Sequence, residues 1–123
     1  MNVLRTDAPS VSVHRYWFGA WTVVRVEGEM DVQAQPLIEH LVGGDRFIAF
    51  ELDAVTFVDA CGLGTLLSRQ RRARAAGGLV QLIEPAAPVR RLLWLTGSAG
   101  HFPVVPADRA VAVLMGTGPW SGF

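Results

Sequence analysis

One short stretch of the chain, Phe57–Gly64, combines a nucleophilic side chain with two glycines at a point where a strand gives way to a helix. It reads FVDACGLG, and Cys61 is the only cysteine in the chain. The first N–H groups of a helix lack internal partners and the helix dipole is positive there, so an anion is stabilised. Gly62 and Gly64 let another molecule approach closely. A reactive thiol, an anion site and a small residue at a tight turn all fit this position.

More specific catalytic motifs are absent around Cys61. The run Gly62-Leu63-Gly64 lacks the third glycine of a dinucleotide-binding fingerprint and the Gly-Lys-Ser/Thr of a P-loop. Leu67 stands six residues after Cys61, where a cysteine phosphatase carries its phosphate-binding arginine. The three histidines lie far from Cys61 in the sequence and have no close ligand spacing. We therefore predict no catalytic residues, no metal site, no cofactor and no enzymatic activity.

The composition limits the class of protein. The chain has 123 residues, half of them hydrophobic, with 11 basic and 11 acidic side chains and a formal net charge of zero. This length predicts one domain, and the apolar content excludes disorder. A neutral balance argues against nucleic acid or an anionic membrane as the partner. No run approaches the roughly 20 apolar residues of a membrane span, and the N-terminus lacks the apolar core of a secretory signal. We expect a cytoplasmic protein.

Turn signals and periodicity predict an α/β fold. Polar and apolar residues alternate from Ser10 to His14, and Trp21–Val26 is apolar and rich in β-branched residues, so these segments predict two strands of a hairpin that turns at Gly19. The second strand breaks at Gly28-Glu29-Met30-Asp31, and Asp31 is expected to cap the first helix, which ends at Gly43-Gly44. Strands and helices then alternate. The predicted elements are, in order, strand 47–52, helix 59–76, strand 79–83, helix 89–95, strand 102–105 and helix 108–115.

The order β-β-α-β-α-β-α-(β)-α implies one domain with a mixed, mostly parallel sheet of four to five strands and about four helices. Residues 1–9 are expected to form a flexible N-terminal arm, residues 10–115 the domain and residues 116–123 a C-terminal tail. Asp59 is the expected cap of the strongest predicted helix. On that helix Arg69, Arg71, Arg72 and Arg74 avoid the apolar stripe and predict a solvated basic face, which serves solubility or binds an acidic partner.

At this point the chain resembles a known family. The residues Glu51–Leu67, ELDAVTFVDACGLGTLL, resemble the signature of STAS domains, specifically the bacterial anti-sigma factor antagonists. Landmarks at residues 28–31, 72–78 and 89–97 agree in order, so the resemblance covers about Ser10 to Met115. It implies a STAS-like domain that switches partners. In the family, the unphosphorylated antagonist binds an anti-sigma factor, often a serine-kinase-like protein, and frees the sigma factor. Phosphorylation of a serine at the start of the second helix abolishes this binding.

The chain departs from the family pattern at that serine. The family usually reads Asp-Ser-Ser-Gly, whereas this chain reads Asp59-Ala60-Cys61-Gly62. Cys61 takes the phosphoacceptor position, and a thiol is not a normal substrate of a serine kinase, so we do not expect phosphorylation there. The residues expected to contact the partner are Asp31, Asp59, Ala60, Cys61, Gly62, Leu63, Gly64, Thr65, Arg69 and Arg72.

Three functions remain open from the sequence. The first is an antagonist that binds its partner without a phosphorylation switch, because Cys61 is close to isosteric with serine and neutral when protonated. The second is a redox-gated domain in which oxidation of Cys61 adds bulk or charge. The third is a STAS scaffold in a stressosome-like or ligand-sensing complex. Either a monomer or a homodimer is compatible with the sequence.

Overall fold

The computed structural model of the protein describes residues 2–5 and 10–116, in which six strands form one sheet. The strands are β1 (Asn2–Arg5), β2 (Val11–Phe18), β3 (Trp21–Met30), β4 (Phe47–Val58), β5 (Leu79–Ile83) and β6 (Val104–Val105). The helices are α1 (Ala34–Val42), α2 (Ala60–Ala75), α3 (Ala87–Leu95) and α4 (Ala107–Gly116), with a 3-10 turn at Ala99–His101. Within these residues no helix has the length and apolar character needed to cross a bilayer.

The strands lie side by side in chain order. The pairs β1–β2 and β2–β3 are antiparallel, and the pairs β3–β4, β4–β5 and β5–β6 are parallel. The predicted α/β fold, with its mixed, mostly parallel sheet and four helices, is confirmed. The sheet has one strand more than predicted.

The additional strand lies in the predicted arm. Asn2–Arg5 pairs with β2, with Val3 opposite His14, so the prediction of a flexible arm is wrong for residues 2–5. Pairing satisfies the backbone groups that β2 would otherwise expose as an edge strand. The rest of the arm, residues 6–9, and residues 117–123 of the predicted tail lie outside the described residues. Gly116 closes α4.

The end of β3 also differs from the prediction. Gly28 does not break the strand, which continues to Met30 through irregular pairing with β4. Gly28 has φ +93, and a side-chain carbon there would overlap the carbonyl of Ser10, so only glycine fits this bulge. Gln33, not Asp31, stands immediately before α1. Asp31 instead turns the chain, since its Oδ1 accepts the Gln33 N–H at 2.9 Å.

The bounds of the elements next to prolines also differ from the prediction. Helix α3 begins at Ala87, because Pro88 lies in the first turn, where its missing N–H costs nothing. Strand β6 is limited to two residues between Pro103 and Pro106. Helix α4 begins at Ala107, whose N–H donates to Glu84 Oε1 at 2.9 Å, so the predicted cap Asp108 lies inside the first turn.

The two faces of the sheet have different covers. Apolar residues of α1, α2 and α3 pack on one face against alternate strand residues such as Val24, Phe50 and Leu82. The intervening residues Trp21 and Val23 point to the other face, where Leu114 of α4 joins a smaller cluster. Because side chains of a strand alternate between faces, neighbouring residues of β3 serve two cores. Helix α2, which follows β4 in the chain, packs on the same face of the sheet as α1 and α3.

Candidate functional site

The start of α2 is held by its capping residue. Asp59 is extended, with φ −118 and ψ −172, and its Oδ1 accepts the Gly62 N–H at 3.0 Å. The Asp59 carbonyl accepts the Leu63 N–H at 2.9 Å. This is the N-cap geometry predicted from the sequence, and it satisfies a donor that the helix itself leaves free. The carboxylate is thus engaged inside the helix turn.

Gly62 anchors the helix start against the sheet. A side-chain carbon built on Gly62 would overlap the carbonyl oxygen of Met30 and lie 3.0 Å from Cγ2 of Val58. Met30 and Val58 are paired residues at the ends of β3 and β4. The absence of a side chain on Gly62 therefore lets α2 begin in contact with both strand ends.

Three of the predicted site residues form an exposed neutral patch. Ala60, Cys61 and Gly64 are exposed on the first turns of α2, and Cys61 is a free thiol. A side-chain carbon on Gly64 would meet nothing within 4 Å. The patch therefore exposes only small side chains, and the thiol of Cys61 is its one polarizable group accessible to another molecule. The expected accessibility of the thiol is confirmed.

Other predicted site residues lie beneath this surface. Leu63 is buried in the core, and Thr65 is 2% exposed and donates its hydroxyl to the Cys61 carbonyl at 3.1 Å. Asp31 is half-buried beside Met30, in the turn before α1. Leu63 and Thr65 therefore support the exposed patch from within α2, whereas Asp31 bonds only within its own turn.

The predicted basic face divides into two parts. Arg69 is only 1% exposed, so its assignment to a solvated face is wrong. Its guanidinium donates to Glu39 Oε2 at 2.7 Å and to the Gly43 carbonyl at 2.9 Å, which ties α2 to the end of α1. Arg72 is exposed and donates to the same Glu39 oxygen at 3.2 Å. Sequence periodicity did not indicate this inter-helix pair, because Glu39 lies 30 residues away.

Two exposed apolar residues near the site were not predicted. Val32 is 60% exposed in the turn after β3, and Phe57 is 48% exposed near the end of β4. Met30 and Val58, which flank Gly62, lie next to these two segments. Val32 is an apolar residue inside the turn Asp31–Gln33, and this position could have indicated its exposure from the sequence. Phe57 gave no such signal, because irregular pairing disturbs the strand alternation there.

Three residues of β2 and β3 have displaced pKa values. A hydrogen bond from Arg25 is the main reason that the pKa of Glu27 is lowered, and the same contact raises the pKa of Arg25. Burial, followed by a 2.6 Å hydrogen bond to Glu51, raises the pKa of Tyr16. Among the described residues, no group of three or more His, Cys, Asp or Glu side chains could hold a metal ion.

Comparison with known proteins identifies a family. The family model for the STAS domain matches residues 18–109. An anti-sigma F factor antagonist from Lysinibacillus sphaericus is 28% identical over 81 residues, which is 61% of this chain and 69% of that protein.

Solved structures share the fold. An anti-sigma factor antagonist from Mycobacterium paratuberculosis matches with a TM-score of 0.70 and 26% identity, over 88% of this chain and 98% of that one. The antagonist SpoIIAA in its unphosphorylated form matches with a TM-score of 0.71 and 22% identity, over 85% and 96% of the two chains. SpoIIAA of Bacillus in its phosphorylated form matches with a TM-score of 0.67 and 21% identity, over 83% and 98%.

Proposed function

The chain belongs to the STAS domain family, and on that premise we propose that it is an anti-sigma factor antagonist that binds a serine-kinase-like anti-sigma factor through the start of α2. This binding would free a sigma factor. The observation that carries the proposal is the exposed neutral patch of Ala60, Cys61 and Gly64. The cap at Asp59 and the contact of Gly62 with Met30 hold that patch in a defined position.

Gly64 supports a binding role for the patch. Glycine inside a helix costs about 1 kcal/mol relative to alanine. No neighbouring atom lies where a side chain on Gly64 would be, so packing within the chain does not require glycine there. Close approach of a second protein to the helix accounts for it.

The chemistry of Cys61 supports binding without a phosphorylation switch. SpoIIAA is known in unphosphorylated and phosphorylated forms, and in this chain the two residues after the Asp59 cap are Ala60 and Cys61. A protonated thiol is neutral, as a serine hydroxyl is, and differs from it little in size. The partner surface can therefore be kept while the normal substrate of a serine kinase is lost.

The test compares two substitutions of Cys61. Affinity for a purified serine-kinase-like anti-sigma factor from the same genome is measured by titration calorimetry. Cys61→Ser should bind about as tightly as the wild type. Cys61→Asp should bind at least about tenfold more weakly, because an unpaired charge is desolvated in the interface. Equal affinity of the wild type and Cys61→Asp would show that the start of α2 is not the binding site. Absence of binding by the wild type to any such anti-sigma factor would reject the function.

Exposure of the thiol favours a second candidate function, redox gating at the same site. Oxidation of Cys61 to a sulfenic acid adds an oxygen atom to the contact surface, and a mixed disulfide adds more bulk. Peroxide should then lower the affinity of the wild type for the anti-sigma factor and leave that of Cys61→Ala unchanged. The same loss in both proteins would place the effect elsewhere and reject redox gating.

A further inference from the structure

A second feature of α2 lies toward its C-terminal end. A groove of about 230 Å³ separates this helix from the turn Ala99–His101. Its lining consists of Leu67, Gln70, Arg71, Arg74 and His101. This lining contains two guanidinium groups, an imidazole and an apolar side chain, and no acidic residue from the part of the chain that the structure describes.

Gln70 gives the groove a fixed wall. Its side chain is 3% exposed, and its Nε2 donates to the His101 carbonyl at 2.7 Å and to the Val80 carbonyl at 2.9 Å. Its Oε1 accepts the Val80 N–H at 2.8 Å. The amide therefore joins α2, β5 and the turn that carries His101, so the position of that turn relative to the arginines is set by buried hydrogen bonds.

Among the described residues, no carboxylate neutralises the positive charge of the groove. Arg71 is exposed and makes no hydrogen bond or ion pair among the described residues. The guanidinium of Arg74 reaches only a carbonyl, that of His101, at 3.5 Å. The neighbouring acidic group, Glu39, lies on the α1 side of the helix and is occupied by Arg69 and Arg72. Among the described residues, the pairing of charges on one side of α2 thus leaves Arg71 and Arg74 without a carboxylate partner on the other side.

The groove continues the exposed patch along one helix. Cys61 and Arg71 are ten residues apart, which corresponds to about 15 Å along a helix axis. Cys61, Gly64, Leu67 and Arg71 follow one another at spacings of three and four residues and so lie along one side of α2. A protein seated on the first turns of α2 is therefore close enough to reach the groove.

We propose that this groove binds a carboxylate-rich segment of the partner protein, with Arg71 and Arg74 as the binding cations. The proposal rests on the proposed function for the identification of the partner as a protein that binds α2. Charge complementarity argues for an acidic segment, because two guanidinium groups of the groove have no carboxylate partner among the described residues. Continuity with the patch around Cys61 places that segment on the same partner.

The experiment uses a synthetic hexaglutamate peptide as the probe. The ¹⁵N-labelled protein is titrated at constant ionic strength with the peptide and, separately, with inorganic phosphate. The peptide should cause saturable shifts at Leu67, Gln70, Arg71, Arg74 and His101. Arg71→Ala and Arg74→Ala should each lower the affinity about three- to fivefold, as expected for an exposed charge pair. Arg91→Ala, which removes an exposed arginine from α3 outside the groove, is the matched control and should bind like the wild type.

Two outcomes reject the proposal. An equal loss in Arg71→Ala and Arg91→Ala would mean that the peptide responds only to net charge. Binding of phosphate with the same shifts and at least the same affinity would make the groove a small-anion site. The Cys61→Asp variant should bind the peptide like the wild type, so the two binding regions can fail separately. If Cys61→Asp retains full affinity for the anti-sigma factor while the peptide still binds the groove, only the proposed site at Cys61 fails.

Discussion

The alpha carbon of Gly62 faces the carbonyl oxygen of Met30, with no room for a side chain between them. Gly64, two residues further along the same helix, faces open space. One glycine of this pair is required by packing inside the chain and the other is not. The same substitution at the two positions therefore separates the structure of the site from its surface.

Gly62→Ala should destabilise the fold by about 1–3 kcal/mol, because the new methyl group must displace α2 from the end of β3. Gly64→Ala should stabilise it by about 0.5–1 kcal/mol, since alanine is the better helix former and meets no neighbour. Urea unfolding measures both free energies. Gly64→Ala should also bind the anti-sigma factor more weakly. Stabilisation with unchanged affinity would remove Gly64 from the binding surface.

Arg69→Ala should lower the free energy of unfolding by about 1–3 kcal/mol, because it removes the buried donor of the Gly43 carbonyl and leaves Glu39 with only the exposed Arg72. Arg71→Ala, two residues further along α2, removes the same charge without breaking a side-chain bond within the described residues and should change stability by less than about 0.5 kcal/mol. Denaturant titration of both variants gives the comparison. Similar losses in the two would mean that the pair between α1 and α2 contributes little.

Cys61→Ser should turn the chain into a substrate for a serine-kinase-like anti-sigma factor. The change puts a hydroxyl on an exposed helix start, where we propose that Cys61 replaces a phosphoacceptor serine. Incubation with the kinase and labelled ATP should transfer phosphate to Cys61→Ser and not to the wild type. Equal labelling of the wild type would identify a different phosphoacceptor and contradict the loss of the switch.

The lowered pKa of Glu27 predicts that this carboxylate contributes to the loss of fold stability in acid. A carboxyl group whose pKa is lower in the folded state stabilises the fold above its ordinary pKa of 4.5. This contribution is lost as the pH falls through the lower folded value. The melting temperature of the wild type should therefore fall on acidification from about pH 6 to about pH 3, and Glu27→Gln should flatten part of that fall.

The control for this pH experiment is Glu29→Gln, because the Glu29 carboxylate makes no hydrogen bond among the described residues. It should follow the wild-type curve. The hydrogen bond from Arg25 to Glu27, at 2.9 Å, is the main cause of the lowered pKa, so Arg25→Ala should flatten the curve as well. An unchanged acid dependence in Glu27→Gln would place the sensitivity in other carboxylates.

The capped helix start could be predicted from neighbouring residues. Asp59 bonds to Gly62, three positions away, and the helix ends within one residue of its predicted limit. The role of Asp31 could not be predicted with the same rule, although it is also an aspartate after a strand. Gln33 continues the turn before α1, so Asp31 bonds to a turn N–H and not to a helix N–H.

The sequence by itself determined the alternation of strands and helices and the position of Cys61 on the first turn of α2. Capping, turn formation and apolar periodicity depend on residues a few positions apart, so they can be predicted from the sequence. Only the tertiary structure decided that Arg69 is buried, that Gly62 faces Met30 and that Arg71 remains without a partner. Each of these depends on which distant segments meet across the sheet and between helices, because burial and ion pairing are properties of spatial neighbours.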